Sequence, residues 1–134
     1  MKKEFIHEIR IYYEDTDSGG VVYYANYLKF LERARSEIIY SLGLTNKKLL
    51  TDHNALIIVK SCNIKYKKPA RFEDVLTINS KIKSMLKVSF IMEQIIKRDN
   101  EIISEAEVVL VTVNNRGKPV KIPEVLLKSF ETII

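Results

Sequence analysis

Polar and apolar residues alternate from Phe5 to Tyr13. Phe5, His7, Ile9, Ile11 and Tyr13 fall on one face and Glu8 and Arg10 on the other, which predicts a strand. The period changes after an acidic, glycine-bearing turn, Glu14 to Gly20. Tyr27, Leu31, Ala34, Ile38 and Leu42 recur at i, i+4, i+7, i+11 and i+15, and Leu28, Phe30 and Ile39 widen the stripe. This predicts a helix of about five turns, broad enough on its apolar side to lie on a sheet, with Gly43 as its C-cap. Leu44 to Asp52 predicts a short helical turn or loop.

Period two then returns. Leu56, Ile58, Cys62, Ile64 and Tyr66 are expected on one face, with Lys60 as the exception, and Pro69 ends that strand. Leu76, Ile78 and Ile82 alternate with lysines and small polar residues, and so do Leu86, Val88, Phe90, Met92 and Ile96. Asp99-Asn100 reads as a tight hairpin turn. The segment 101–114 turns apolar on both faces from Val108 to Val113, as in a central or interface strand. Asn115 to Pro119 reads as a turn, and Pro123 suits the first turn of a terminal helix. One strand, one long helix and four strands in hairpin succession predict an α+β fold, with an antiparallel sheet packed on that helix.

The length of 134 residues fits one domain, 1–134, with one core. No apolar run approaches the roughly 20 residues that span a bilayer. The basic N-terminus lacks the apolar stretch of a secretion signal, so the expectation is a soluble, cytoplasmic protein without membrane insertion. The single cysteine, Cys62, leaves no internal disulfide framework, and its place in a strand predicts a small buried residue rather than a nucleophile. His7 and His53 have no metal-ligand spacing, so no metal site is expected. The net charge of +5 fits an anionic partner, but arginine stripes interleaved with aromatics are missing, which argues against nucleic acid.

The turn carries the chemistry. Asp15, Thr16, Asp17 and Ser18 can form caps or Asx turns, and Gly19 and Gly20 allow positive φ or close approach of a ligand. Taken locally this is either an acidic helix cap or a site. As a site, it sets a carboxylate, Asp15 or Asp17, beside the unpaired N–H groups of a helix N-terminus. A carboxylate can attack an acyl carbon or activate water, and backbone donors can hold the oxygen that becomes negative. Thioesters suit such sparse equipment, because a thiol of pKa near ~8.5 leaves readily.

The run Tyr13-Glu14-Asp15-Thr16-Asp17, then Gly20-Val21-Val22-Tyr23-Tyr24-Ala25-Asn26-Tyr27 and Phe30 to Arg35, resembles the hotdog-fold acyl-CoA thioesterases of the 4-hydroxybenzoyl-CoA thioesterase type. Within that family it is most similar to the branch associated with the bacterial Tol–Pal system. A second, weaker motif runs from Tyr66 to Asp74, and the resemblance spans essentially the whole chain. It implies the hotdog fold, a curved antiparallel sheet wrapped around one long helix. It implies hydrolysis of acyl-CoA to free acid and coenzyme A, with no cofactor, in a homodimer or homotetramer that serves lipid metabolism.

By the same resemblance Asp17 is the catalytic carboxylate, as nucleophile or as general base. The Tyr24 backbone N–H polarises the thioester carbonyl, and Gly20 lets substrate lie close. Tyr13 either lines the pocket or closes the core. The Tol–Pal branch commonly carries His where this chain has Tyr24, a departure that removes a side chain and keeps a backbone donor. Glu32 and Arg35, at i and i+3, are expected to pair and to serve structure. Lys65, Lys67, Lys68 and Arg71 form the densest basic cluster, and Lys67, Lys68 and Arg71 are candidates for the coenzyme A phosphates. The alternative is a non-catalytic hotdog module that holds acyl-CoA or docks on acyl carrier protein. A hotdog dehydratase is disfavoured because no His lies in the motif.

Overall fold

The computed structural model describes residues 4–131. Strand β1 (Phe5–Arg10) leads into a short 3₁₀ turn (Tyr13–Asp15), then helices α1 (Asn26–Ser41) and α2 (Asn46–His53). Strands β2 (Leu56–Tyr66), β3 (Val75–Met85), β4 (Ser89–Arg98) and β5 (Glu101–Val113) follow, and α3 (Glu124–Glu131) comes last. The five strands make one antiparallel sheet in the order β1-β3-β4-β5-β2. This is the α+β arrangement that the periodicity predicts.

Helix α1, about 24 Å long at 1.5 Å per residue, lays Tyr27, Phe30, Leu31, Ala34, Ile38 and Ile39 on the inner face of the sheet. That face supplies Leu76, Ile78, Ile82, Phe90, Met92, Ile96, Val108 and Leu110 to the core. Leu28, expected in the stripe, is exposed, because it lies at the flank of α1 rather than under it. The C-cap is Leu42, and Gly43, expected at that place, follows it. Gly43, at φ 79°, lets its own N–H reach the Tyr40 carbonyl and that of Leu44 reach the Ile39 carbonyl. Asp99, at φ 55°, turns the β4–β5 hairpin.

The expected face of β2 needs correction. The register to β5 shifts between Val59 and Ser61, so Lys60 is an extra, bulged residue. A bulge reverses side-chain parity. Leu56 and Ile58 therefore face outward, while Ile57, Val59, Cys62, Ile64 and Tyr66 share the inner face. Because β2 is an edge strand, Cys62 is exposed rather than buried. No helix among the described residues is long and apolar enough to cross a membrane.

Candidate active site

The turn between β1 and α1 folds as a miniature hairpin. Thr16 bridges Val22, the Asp17 N–H donates to the Val21 carbonyl at 2.9 Å, and the Gly20 N–H closes onto the Asp17 carbonyl at 3.1 Å. Gly20 sits at φ 80°, a conformation that side chains resist, which is why the turn needs glycine there. The outgoing arm, Val21-Val22, pairs with the segment after β2. Val21 bridges Arg71, and the Val22 N–H donates to the Ala70 carbonyl at 2.8 Å. The two motifs are thus brought together, and Arg71 stands beside the Gly20 turn.

The two acidic residues are used differently. Asp15 is half-buried and committed to the loop. Its carboxylate accepts from the Tyr12 N–H at 2.9 Å, and its carbonyl accepts from the Tyr23 N–H at 3.0 Å and the Asn26 side-chain amide at 2.9 Å. Asp17 is exposed, and its Oδ1 accepts from the Gly19 N–H at 2.8 Å. Its Oδ2 has no partner among the described residues.

Helix α1 begins at Asn26, two residues later than an oxyanion donor at Tyr24 suggests. Ala25 is the N-cap, already helical at φ −66° and ψ −22°, and no side chain caps it. The Asn26 N–H donates to the Tyr23 carbonyl, the Tyr27 N–H to that of Tyr24 and the Leu28 N–H to that of Ala25. Among the described residues nothing accepts from the N–H groups of Tyr24 and Ala25. These are unsatisfied donors at the positive end of the helix dipole.

The remaining candidates divide. Tyr13 is 77% exposed, so it does not close the core; it stacks on Phe72 with ring centroids 3.9 Å apart and planes 18° from parallel. Lys68 pairs with Glu101 at 2.6 Å, within a network in which Arg98 joins both Glu101 and Asp74. Lys67 and Arg71 are exposed, and neither has an ion-pair partner among the described residues. Glu32 and Arg35 form no ion pair. Arg35 instead donates to Gln94 Oε1 at 2.9 Å, and Gln94, fully buried, donates onward to the Leu31 carbonyl and Ser80. Burial lowers the Arg35 pKa, and the nearby Cys62 and Glu32 only partly oppose this.

Two contributors escape a reading of the chain alone. Tyr66 donates its hydroxyl to the Tyr24 carbonyl at 3.2 Å, and Tyr27, at the first turn of α1, accepts from the Ala70 N–H at 3.0 Å. Each is an aromatic within one of the two sequence motifs, but their partners lie 42 and 43 residues away. No group of three potential metal ligands is clustered among the described residues. A cavity of ≈ 160 Å³ between α1, β2 and α3, lined by residues such as Arg35, Ile39, Val59 and Phe130, contains none of the turn residues.

Comparison with known proteins fits this arrangement. The sequence profile of the thioesterase-like superfamily matches residues 12–130. The chain is 38% identical to a protein of Escherichia coli O6:H1 named acyl-CoA thioester hydrolase YbgC, over 92% of each chain. A crystal structure of a probable thioesterase from Bartonella henselae superposes with a TM-score of 0.86 at 33% identity, covering 90% of this chain and 99% of that one. The 4-hydroxybenzoyl-CoA thioesterase of Pseudomonas sp. strain CBS-3 superposes with a TM-score of 0.88, covering 94% and 98%; at 24% identity it establishes the shared hotdog fold.

Proposed function

The chain belongs to the thioesterase-like superfamily and is an acyl-CoA thioester hydrolase; from that premise we propose that Asp17 supplies the reacting carboxylate and the Tyr24 N–H the oxyanion donor. The observation that carries this reading is the contrast between the two turn carboxylates. Asp15 is spent on the loop, whereas Asp17 is anchored through one oxygen and presents the other.

In the general-base route Asp17 takes a proton from water, whose oxygen bonds to the acyl carbon. The C–S bond breaks, and the sulfur leaves as the coenzyme A thiolate, which then receives the proton. In the nucleophilic route an Asp17 oxygen bonds to the acyl carbon and expels the thiolate, and water cleaves the resulting anhydride. In both, negative charge grows on the thioester oxygen, where backbone donors stabilise the transition state more than the substrate. The side chain at Tyr24 does not enter, so the branch's usual His is dispensable here. The chemistry draws on carboxylate, backbone donors and water, without a cofactor.

Lys67 and Arg71, the latter with Gly20 and Tyr13 near it, are proposed to receive the nucleotide end of coenzyme A. An edge strand that exposes Ile58, Val59 and Tyr66 supports a homodimer or homotetramer. The Tol–Pal association extends the reading on motif resemblance.

The test is thiol release from short-chain, long-chain and aromatic acyl-CoAs, with acyl carrier protein thioesters alongside. Asp17→Asn should lower kcat by ~10²-fold or more. Equal rates for wild type and Asp17→Asn would remove Asp17 from its role. Tight binding of acyl-CoA with no turnover of any member would favour a binding module. Rapid-quench mass spectrometry separates the two routes, since only the nucleophilic one leaves a transient acyl adduct on the chain.

A further inference from the structure

No side chain caps α1, so the free N–H groups at its entrance owe their placement to other contacts. One brace comes from β2. Tyr66 lies at the end of that strand, beyond the Lys60 bulge, and the reversed parity turns its ring inward. The ring meets Tyr27 edge to face at 5.2 Å and Tyr24 at 6.2 Å, and its hydroxyl donates to the Tyr24 carbonyl. The same carbonyl accepts from the Tyr27 N–H at 3.3 Å, a long bond for a helix start. A peptide is planar and trans, so fixing the Tyr24 carbonyl also fixes the Ala25 N–H, which points the opposite way across the same plane. Burial raises the Tyr66 pKa, with neighbouring Cys62, Tyr24 and Tyr27 acting in the same direction, and the hydroxyl therefore stays protonated as a donor.

We propose that Tyr66 is a positioning residue for the oxyanion site: its bond to the Tyr24 carbonyl holds the helix entrance so that the Ala25 N–H acts as a second donor beside that of Tyr24. This deepens the catalytic reading above and rests on it. Preorganised donors gain their advantage by needing no rearrangement when charge develops, so loosening them acts on the transition state rather than on substrate binding.

The test is Tyr66→Phe, which keeps the ring and deletes only the hydroxyl. Acyl-CoA hydrolysis should fall by ~10-fold in kcat with KM within about twofold. The Tyr27 amide, which donates to the same Tyr24 carbonyl, should exchange hydrogen several-fold faster, and the pH profile of the remaining activity should keep its shape. An unchanged kcat, or an unchanged Tyr27 amide, overturns the proposal. A lost alkaline limb overturns it too, since that would make Tyr66 an acid. Asp17→Asn is run in parallel. If it is inactive while Tyr66→Phe matches wild type, only the positioning role fails; if it is fully active, the catalytic reading beneath it fails.

Discussion

Gly19 and Asp17 are fitted to each other: the Gly19 N–H donates to Asp17 Oδ1 at 2.8 Å, and a Cβ built on Gly19 would stand 3.2 Å from that oxygen. The backbone of Gly19 is not in the left-handed region, so an alanine there meets the carboxylate and little else. Gly20 is the converse, with open space around its missing Cβ and a φ of 80°. Gly19→Ala should therefore lower kcat several-fold at nearly unchanged Tm, by displacing Asp17. Gly20→Ala should cost ~1–2 kcal/mol of stability through its backbone. Thermal unfolding and acyl-CoA kinetics on both variants check the pair, and a matching loss of Tm in both would refute the division.

The element order could be read from periodicity because each element is strongly patterned: α1 over sixteen residues, β3 and β4 with clean alternation. The turn carried its own local chemistry, and Gly20 and Gly43 hold the positive φ angles their positions suggest. Long-range effects were not legible. One bulged residue, Lys60, takes Leu56 and Ile58 off the face shared by Cys62, Ile64 and Tyr66, and nothing in the pattern marks a bulge apart from one lysine out of step. Lys68 reads as a free cation until β5 brings Glu101 against it, and Arg35 reads as a partner for Glu32 until β4 offers Gln94. The helix entrance behaves the same way, since its brace at Tyr66 arrives from another strand.

Cys62 is exposed on the inner side of an edge strand, within the field of Arg35. Partial burial raises its thiol pKa, and Arg35 only partly offsets this, so the reactive thiolate is scarce near neutral pH. Cys62→Ser should retain kcat within about twofold, and alkylation at pH 7 should be slow and speed up as pH rises. Loss of turnover in Cys62→Ser, with folding intact, would reinstate the thiol as a nucleophile.

Glu101 ties the end of the β4–β5 hairpin to Lys68 and Arg98. Its pKa is lowered, first by the hydrogen bond from Lys68 and then by that from Arg98. A carboxyl group with a depressed folded-state pKa adds stability above its unfolded value, near ~4.3, and loses that contribution as pH falls through the folded value. Between pH 6 and 3 the Tm of the wild type should therefore fall more steeply than that of Glu101→Gln. The pairs are exposed, so 0.5 M salt should shrink the difference. Parallel curves at low salt would show that the network contributes nothing to pH-linked stability.

The same network decides which basic residues can serve coenzyme A. Lys68 already neutralises Glu101, and drawing it onto a phosphate would break that bond. Arg71 carries no such debt, and its backbone is held beside the Gly20 turn by the bridge to Val21 and by its N–H donating to Asp74 at 2.8 Å. Its guanidinium is thereby aimed from a fixed base toward solvent, where it can grip a phosphate through two donors. Arg71→Ala should raise KM for acyl-CoA by ~5–10-fold with kcat little changed, a loss of ~1–1.4 kcal/mol in binding. Lys68→Ala should raise it far less. An acyl-pantetheine thioester, which lacks the nucleotide, separates phosphate binding from damage to the site: KM for that substrate should be the same in Arg71→Ala and wild type. An equal rise on both substrates would mean that Arg71 supports the turn and does not bind phosphate.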